Sequence, residues 1–299
     1  MSEVDAPSGV AEATGIQNEF DELQWVLMRR AIPFSANLDP ETEPDPAYRR
    51  QLRSWRWSRY DVDLVQEQLD ALRSVLEDRG VHVIGAPVTP DCDSQHFPRD
   101  IGFVVDDTLI VGRPRHHIRQ WEIVGIRGVV AALPRVAYLD AGFIEGGDVM
   151  LHDDLVLVGL GGETSPLGVD SLRHRLEHLG SSRTVMPIAT AHPAVVHLDT
   201  LFNIVAPNLA LVLPSAFEKA QIRWFSDHFD LIEVTEQEAL GLEINTLSVD
   251  PRTIVASDTS RRVRRELERR EIEVVPVDFS EVSRIPGAFR CATLPLRRG

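Results

Sequence analysis

The chain has 299 residues, of which 43% are hydrophobic, and its net charge is -15 from 31 basic and 46 acidic residues. This length allows a large core in one or two domains, and the acidic balance excludes a general polyanion-binding surface of the kind that nucleic acids need. The charge would attract a cationic small molecule, although a need for solubility accounts for much of it.

The cysteine content and the N-terminus restrict the cellular setting. Cys92 and Cys291 are too few for a disulfide framework. Residues 1–5 contain neither a basic region nor an apolar run, which argues against a signal peptide, and no stretch is long and apolar enough to span a membrane. We therefore expect a cytoplasmic protein without a membrane or nucleic-acid partner. The oligomeric state stays open, a homodimer included.

The N-terminal part of the chain predicts a tail and a first structural unit. Residues 1–18 are small, polar and acidic, so we expect a disordered tail that precedes a single domain over residues 19–299. The first unit has a strand at 23–32, a loop at 39–46, a helix at 61–79 and a strand at 81–84. In the helix, apolar residues recur at helical spacing before Gly80 ends it.

Four further units repeat the order of hairpin, helix and strand, at a period of roughly fifty residues. Each hairpin joins two short apolar strands through a turn of two or three residues. The predicted hairpins, helices and strands are 101–111, 117–133 and 136–139; 149–159, 166–179 and 184–188; 201–213, 215–228 and 231–234; and 246–256, 258–270 and 273–277.

The repeat predicts how the units pack. Each unit has one apolar helix face and short strands that cannot be buried alone, so packing five units around an axis would bury them together. The alternative is an ordinary α/β sheet with alternating elements. Short turns force antiparallel hairpins, which a doubly wound parallel sheet would not repeat. The sequence therefore favours an α/β fold of five ββαβ units in a radial, propeller-like arrangement.

Charged or reactive residues recur at the start of a hairpin or at a strand end. Strand ends that are equivalent in a radial arrangement would point at one central cavity. The four segments are Phe-Pro-Arg-Asp at 97–100, Glu-Gly-Gly-Asp at 145–148, His-Leu-Asp-Thr at 197–200 and Arg-Cys at 290–291.

Each segment has a chemical and a structural interpretation. Cys291 is interpreted as a nucleophile, or else as a small buried thiol in a last strand, since free cysteine is among the most buried residue types. His197 and Asp199 share one face of an extended segment and could bind a metal or transfer protons, whereas a lone histidine is usually structural. Gly146 and Gly147 leave room for a close approach or form a plain turn.

Together, the four segments and the repeat resemble the guanidino-group-modifying enzymes of the pentein superfamily. These include arginine deiminases, dimethylarginine dimethylaminohydrolases, agmatine deiminases and amidinotransferases. The resemblance covers residues 23–298. It implies a five-bladed α/β propeller with a central active site, a cationic guanidino substrate, and catalysis without a metal or an organic cofactor.

The resemblance also implies a role for each matching residue. Cys291 matches the nucleophile that attacks the guanidinium carbon and forms a covalent thiouronium intermediate, and His197 matches the general acid and base. Asp100 and Asp199 match the carboxylates that bind the guanidinium nitrogens. Glu145 matches the acid that orients the histidine or contacts the substrate. A bound cation and a protonated histidine should favour the thiolate.

Departures from the family patterns bear on the reaction and on the substrate. Amidinotransferases usually carry a Glu-Pro-x-Phe-Asp type of segment where this chain has Glu-Gly-Gly-Asp, so we expect hydrolysis. Glu163 stands where arginine deiminases commonly place an arginine for the substrate carboxylate, which favours a substrate with an amine or amide tail. Alternatively, Arg99, Arg290 or another arginine binds the substrate carboxylate, or Glu163 faces solvent.

Three other functions remain as alternatives. An amidinotransferase would need an amine acceptor in place of water. A binding protein without catalytic activity is the second alternative, since the pentein fold has binding-only members, although a pure binder has no need of a cysteine with a histidine. The third is a zinc hydrolase with His197, Asp199 and Glu145 as ligands. Cys92 is interpreted as structural.

Overall fold

The structure is a computed structural model, and it describes residues 14–33, 61–190 and 197–299. The strands of this part of the chain are β1 (Leu23–Arg29), β2 (His82–Ala86), β3 (Gly102–Val105), β4 (Thr108–Val111), β5 (Val136–Tyr138), β6 (Val149–His152), β7 (Leu155–Leu160), β8 (Thr184–Ala189), β9 (Phe202–Ala206), β10 (Leu209–Val212), β11 (Asp230–Glu233), β12 (Leu247–Asp250), β13 (Thr253–Ser257), β14 (Glu273–Val277) and β15 (Leu294–Arg298). Its helices are α1 (Val62–Glu77), α2 (His117–Gln120), α3 (Glu122–Gly125), α4 (Arg127–Ala132), α5 (Pro166–Leu179), α6 (Lys219–His228), α7 (Glu236–Leu240) and α8 (Arg261–Glu268).

Within the described residues, the strands form five three-stranded sheets. Their orders are β15-β1-β2, β3-β4-β5, β6-β7-β8, β9-β10-β11 and β12-β13-β14. In each sheet the first two strands are antiparallel, and the third runs parallel to the middle strand. A parallel neighbour needs a crossover, which the helix of each unit provides. The predicted repeat of hairpin, helix and strand is therefore confirmed.

The first sheet is completed by the other end of the chain. Strand β15 pairs antiparallel with β1, so that Leu27 lies opposite Leu294. Leu294 and Leu296 are fully buried. The apolar run at the C-terminus is thus a sheet strand, and it fixes the preceding loop that carries Cys291.

Contacts between the sheets follow a regular order. Strand β15 contacts β3, β1 contacts β12, β12 contacts β9, and β9 contacts β6. The remaining pair of units meets through two short 3₁₀ turns, Pro98–Ile101 before β3 and Gly146–Asp148 before β6. The segments that precede the hairpins are therefore brought together on one side of the sheets.

Several predicted elements differ from the structure. The single helix expected at 117–133 is divided into α2, α3 and α4. A glycine in this region, Gly125, packs so closely against the guanidinium of Arg29 that a Cβ there would lie 2.1 Å from Nη2. Glycine also has low helix propensity, which favours the break. Helix α6 begins at Lys219 instead of residue 215, because Pro214–Ala216 forms a separate 3₁₀ turn. Helix α7 was not predicted.

The last residues of the segment that was expected to be a disordered tail are ordered parts of the fold. Ile16 is buried, and its backbone N–H donates to Asp106, while the Gly15 N–H donates to Leu296. These two residues belong to the fold. Residues 1–13 of the tail and the loop predicted at 39–46 lie outside the described residues. In the three described ranges, no helix has both the length and the apolar character that a bilayer span requires.

Candidate active site

Three of the four chemically interesting segments form the short turns that precede hairpins. They are Pro98–Ile101, Gly146–Asp148 and Leu198–Thr200, and the second contacts both of the others. The fourth segment joins them through backbone contact, because the Arg99 N–H donates to the Cys291 carbonyl. Residues that are far apart in sequence thus gather in one buried place.

His197 lies between two carboxylates. Its Nε2 is 3.0 Å from Glu145 Oε2, and its Nδ1 is 3.6 Å from Asp100 Oδ1. All three side chains are buried. Burial by itself would lower the pKa of His197, but the charge of Asp100, the hydrogen bond that His197 donates to Glu145 and the charge of the nearby Asp148 raise that pKa well above its ordinary value. The imidazole is therefore held protonated and can donate a proton.

Arg119 of α2 supports this arrangement. Its guanidinium is 2.7 Å from Asp100 Oδ2 and 3.6 Å from Glu145 Oε2, and it forms two hydrogen bonds with Glu122. Burial would raise the pKa of Asp100, but the charges of His197 and Arg119 lower it below its ordinary value. Asp100 is thus an ionised carboxylate held between two cations.

The nucleophile candidate lies beside the other aspartate. Cys291 is buried, and its Sγ is 3.8 Å from Asp199 Oδ2. The same Asp199 oxygen accepts a hydrogen bond of 2.9 Å from Arg290. Burial, followed by the negative charges of Asp199 and Asp100, raises the pKa of the Cys291 thiol well above its ordinary value. The site therefore keeps the sulfur protonated in the absence of a cation.

Each aspartate keeps one oxygen without a hydrogen bond. Asp100 Oδ1 and Asp199 Oδ1 are both buried, and neither accepts a hydrogen bond. Buried carboxylate oxygens are normally satisfied, so these two oxygens can accept hydrogen bonds from a further donor. A planar cation with several N–H groups matches this need.

The two glycines of the 145–148 segment leave space for protein atoms. A Cβ on Gly147 would lie 2.7 Å from Cγ and Nδ1 of His197 and 3.0 Å from Asp100 Oδ1. A Cβ on Gly146 would lie 2.1 Å from the Arg99 carbonyl oxygen. The close approach at Gly147 is made by the imidazole of His197 and at Gly146 by the backbone of Arg99, whereas the sequence had led us to expect a ligand there. Glycine is required here because any side chain would displace the histidine.

Asp148, at the end of the same segment, accepts hydrogen bonds that hold the segment after His197 in place. Its carboxylate accepts a hydrogen bond of 2.8 Å from the Leu198 N–H and one of 2.6 Å from the Thr164 hydroxyl. Burial raises the pKa of Asp148 to about 7. Asp148 was not singled out from the sequence, although it belongs to a segment that was.

Asn245 was missed by sequence reasoning, and it holds the loop that carries Cys291. Its Oδ1 accepts hydrogen bonds from the backbone N–H groups of Ala288 and Cys291, at 3.1 and 3.2 Å. Its Nδ2 donates to the Asp199 carbonyl at 3.3 Å. Asn245 lies just before β12, where the other units carry their reactive residues. The repeat itself was therefore the signal that could have found it.

Two arginines expected to contact the substrate are used within the protein. Arg290 donates to Asp199, to Glu19 and to the Val149 carbonyl. Arg99 is buried and donates through Nε to the Arg290 carbonyl, while its Nη2 has no hydrogen-bond partner. Burial, together with the charge of Arg290, lowers the pKa of Arg99 to about 9. The structure thus gives both side chains structural contacts, and we do not assign them to the substrate.

Glu163 lies at the edge of the site and has a partner. Its carboxylate is 3.1 Å from His116 Nε2, and 13% of its side chain is exposed. Burial would raise the pKa of Glu163, but the hydrogen bond from His116 lowers it. Glu163 is therefore an ionised acid in contact with His116, close enough to His197 to interact with its charge.

The structure brings together a potential metal-binding set that differs from the expected one. Among the described residues, Asp100, Glu145 and His197 place candidate ligand atoms within 4.8 Å of one another, while Asp199 is not part of the group. Arg119 already pairs with both acids, and its positive charge would repel a metal ion bound by the same carboxylates. The set therefore does not fit a resident metal ion.

Sequence comparison identifies a matching family and similar proteins. Residues 33–298 match the model of a family described as N,N dimethylarginine dimethylhydrolase, eukaryotic. The uncharacterized protein YkgA of Bacillus subtilis is 33% identical over 240 residues, which cover 80% of this chain and 82% of that protein.

Solved structures share the fold at lower identity. A dimethylarginine dimethylaminohydrolase from Pseudomonas aeruginosa, solved as a cysteine-to-serine mutant with citrulline, superimposes with a TM-score of 0.74 and 21% identity, over 91% of this chain and 99% of that one. The amidinotransferase SxtG of Microseira wollei superimposes with a TM-score of 0.75 and 18% identity, over 95% and 97% of the two chains. The chain therefore belongs to the dimethylarginine dimethylhydrolase family, within the pentein superfamily.

Proposed function

We propose that the protein is a cysteine hydrolase that acts on the guanidinium carbon of arginine, a substituted arginine or another guanidine compound. The observation that carries this proposal is the pair of orphaned oxygens, Asp100 Oδ1 and Asp199 Oδ1, beside the thiol of Cys291. A guanidinium supplies donors to two carboxylates at once and leaves its carbon exposed to the sulfur. Membership in the dimethylarginine dimethylhydrolase family supports the same chemistry.

Binding of the cation also prepares the nucleophile. Without a ligand, burial and the charges of Asp199 and Asp100 raise the pKa of Cys291. A guanidinium between these carboxylates cancels their charge at the sulfur, and its own positive charge stabilises the thiolate. The substrate therefore lowers the pKa of the Cys291 thiol when it binds, and the thiol loses its proton to solvent. The thiolate forms only when a cationic substrate is bound.

The reaction then proceeds in two halves. The Cys291 thiolate attacks the guanidinium carbon, and the tetrahedral adduct collapses as His197 donates its proton to the departing amine. This leaves a covalent thiouronium and a neutral imidazole. The imidazole next accepts a proton from water, which attacks the same carbon. The C–S bond then breaks, and the remaining hydroxyl proton passes to the sulfur, so that a neutral ureido product and the Cys291 thiol are released. Glu145 holds the imidazole in place through both steps.

The arrangement of the units follows from the contacts between sheets. We infer that the five sheets close into a propeller around the site, since each unit contacts the next and the first sheet is shared between the two ends of the chain. Closure would place the equivalent turns of all five units around one axis. It would account for the meeting of Asp100, Glu145, His197, Asn245 and Cys291.

The tail of the substrate is assigned to the side of the site where Glu163 lies. An ionised Glu163 that pairs with His116 favours a tail that is neutral or positively charged. In the alternative arrangement, His116 binds the carboxylate of the substrate tail, and the substrate is arginine itself. Comparing the turnover of arginine, methylated arginines and agmatine distinguishes these cases, and a strong preference for arginine would contradict the role of Glu163.

The two cysteines provide a direct test of the chemistry. 2-Chloroacetamidine carries a guanidinium-like cation and should alkylate Cys291, as mass spectrometry of the peptides would show. Cys92 is an internal control, since burial raises its pKa to about 11. Cys291→Ser should abolish release of a ureido product, while Cys92→Ser should retain it. Equal labelling of the two cysteines, or full activity of Cys291→Ser, would contradict the proposal.

Product analysis separates hydrolysis from amidino transfer. With water as the acceptor, a guanidine substrate yields a ureido compound and an amine at equal rates. A transferase would instead release little ureido product until an amine acceptor is added. Activity should also persist in a strong chelator, because Arg119 already pairs with Asp100 and Glu145 and the proposed steps use no metal ion.

A further inference from the structure

The N-terminal segment 14–22, here called the N-terminal strap, crosses several structural units. Gly15 pairs with the backbone of β15, and the Ile16 N–H donates 2.7 Å to the carbonyl of Asp106 in the turn between β3 and β4. The Asn18 side chain accepts a hydrogen bond of 2.8 Å from the N–H of Asp153, in the turn between β6 and β7. The strap therefore contacts three sheets within a few residues.

Glu19 carries the strap into the buried centre. It is 8% exposed, and its Oε1 accepts a hydrogen bond of 3.1 Å from the Leu151 N–H. Its Oε2 lies 3.0 Å from Arg290 Nη2. Burial would raise the pKa of Glu19, but the charges of Arg290 and Arg99 lower it, so the carboxylate is ionised.

Arg290 connects Glu19 to the reactive sulfur. Its Nη1 donates 2.9 Å to Asp199 Oδ2, and the same oxygen is 3.8 Å from Cys291 Sγ. A continuous chain of contacts thus runs from Glu19 through Arg290 and Asp199 to Cys291. Every member of this chain is buried.

The charges around this chain determine what Glu19 does. Arg99 and Arg298 add positive charge next to Arg290 and Glu19, and both are held by backbone carbonyls. Without Glu19, Arg290 would have Asp199 as its remaining acid partner among the contacts described. The positive charge of Arg290 would then interact more strongly with Asp199, and Asp199 would attract a guanidinium less strongly. The charged groups close to Asp199 or Arg290 are Asp100, His197, Glu19, Arg99 and Arg298.

We propose that Glu19 is a positioning residue of the guanidinium site, which balances the charge of Arg290 so that Asp199 remains available to a cationic substrate. This inference rests on the proposed function, since it assigns a remote residue to substrate binding. It also gives the N-terminal strap a role in activity. Glu19 acts through Arg290 and does not touch the substrate.

The experiment compares a charged and a neutral reagent at the same sulfur. In Glu19→Gln, the rate of Cys291 alkylation by cationic 2-chloroacetamidine should fall relative to the rate with neutral iodoacetamide, by about tenfold for the loss of one buried charge. The pH at which iodoacetamide reacts should move lower, because unbalanced positive charge stabilises the thiolate. Glu22→Gln makes the same chemical change at an exposed position three residues along and should leave both rates unchanged.

A merely structural role for Glu19 would give a different result. It would lower the unfolding temperature of Glu19→Gln without changing the ratio of the two rates or the pH profile, and that outcome would overturn the proposal. Glu19→Asp keeps the charge and should restore the ratio even if it is less stable. In the hydrolytic assay, Glu19→Gln should raise KM by about tenfold with a smaller change in kcat.

The two proposals can fail separately. If the ratio shifts in Glu19→Gln but the wild-type protein hydrolyses no guanidino compound, the charge balance stands and the proposed function is wrong. If the wild type hydrolyses such a compound and the ratio is unchanged, the role of Glu19 is wrong.

Discussion

Replacing Glu145 with glutamine tests the proton donor without removing it. Glu145→Gln keeps the size of the side chain and removes one of the charges that hold the His197 imidazole. In the wild type, Glu145 Oε2 lies 3.0 Å from His197 Nε2, and both side chains are buried. Asp100 and Arg119 remain in the variant, so the histidine keeps one carboxylate neighbour.

The size of the effect follows from the geometry. A charge-assisted hydrogen bond between buried groups contributes about 1.5–3 kcal/mol. Since one pKa unit corresponds to about 1.4 kcal/mol, Glu145→Gln should lower the pKa of His197 by about 1–2 units. The wild-type pKa is raised above the ordinary 6.5, so the ion pair stabilises the fold fully below pH 6.5. That stabilisation is lost as the pH rises through the raised value, and the variant should therefore be most destabilised at low pH.

Nuclear magnetic resonance of histidine labelled at Cε1 measures this pKa directly. The assignment comes from the signal that is lost in His197→Gln. Glu177→Gln, an exposed substitution on α5, is the matched control and should leave the titration unchanged. In the enzymatic assay, the rate of amine release in a single turnover should decline at a lower pH in Glu145→Gln, because His197 must be protonated for that step.

One result would refute the reasoning. If His197 titrates at the same pH in the wild type and in Glu145→Gln, the glutamate does not hold the imidazole protonated. The general acid would then have to be sought elsewhere.

Four further predictions follow from buried contacts. Asn245→Ala leaves two backbone N–H groups of the nucleophile loop unpaired and should lower the free energy of unfolding by about 2–4 kcal/mol in urea titrations. Gly147→Ala forces the imidazole aside and should lower kcat at least about tenfold in steady-state assays, with a smaller loss of stability. Arg119→Met removes the cation that pairs with three buried acids and should lower the free energy of unfolding by about 3–5 kcal/mol in the same titrations. Burial raises the pKa of Asp148 from its ordinary 3.8 to about 7, so the fold favours the neutral form of this carboxyl. The contribution of Asp148 to the free energy of unfolding should therefore decrease as the pH rises from about 4 to about 7. Asp148→Asn should remove this part of the pH dependence when unfolding is measured across the same range.

The elements of the repeat could be read from the sequence because their signals are local. The helix expected at 166–179 matches α5, where Ser165 caps the first turn and Gly180 adopts a left-handed conformation after the last. The strand expected at 273–277 matches β14. The helix expected at 117–133 failed, since apolar spacing alone does not reveal that Gly125 must accommodate the guanidinium of Arg29.

The candidate site could be predicted in part. The residue types of Cys291, His197 and the acids that precede the hairpins mark them as chemically special, and the structure brings them together. The positioning residues were missed because their importance depends on hydrogen bonds to distant backbone. Asn245 is an ordinary asparagine until its Oδ1 is seen to accept from the Cys291 N–H.

By itself, the sequence determined the alternation of strands and helices, the number of repeated units and the residue types that precede the hairpins, because periodicity and turn chemistry act over a few residues. Only the tertiary structure decided how the charges are shared. Arg290 pairs with Asp199 and Glu19, and the carboxylate of Glu163 contacts the imidazole of His116. These pairings join residues far apart along the chain, and the strength of a charge interaction depends on distance and burial in space.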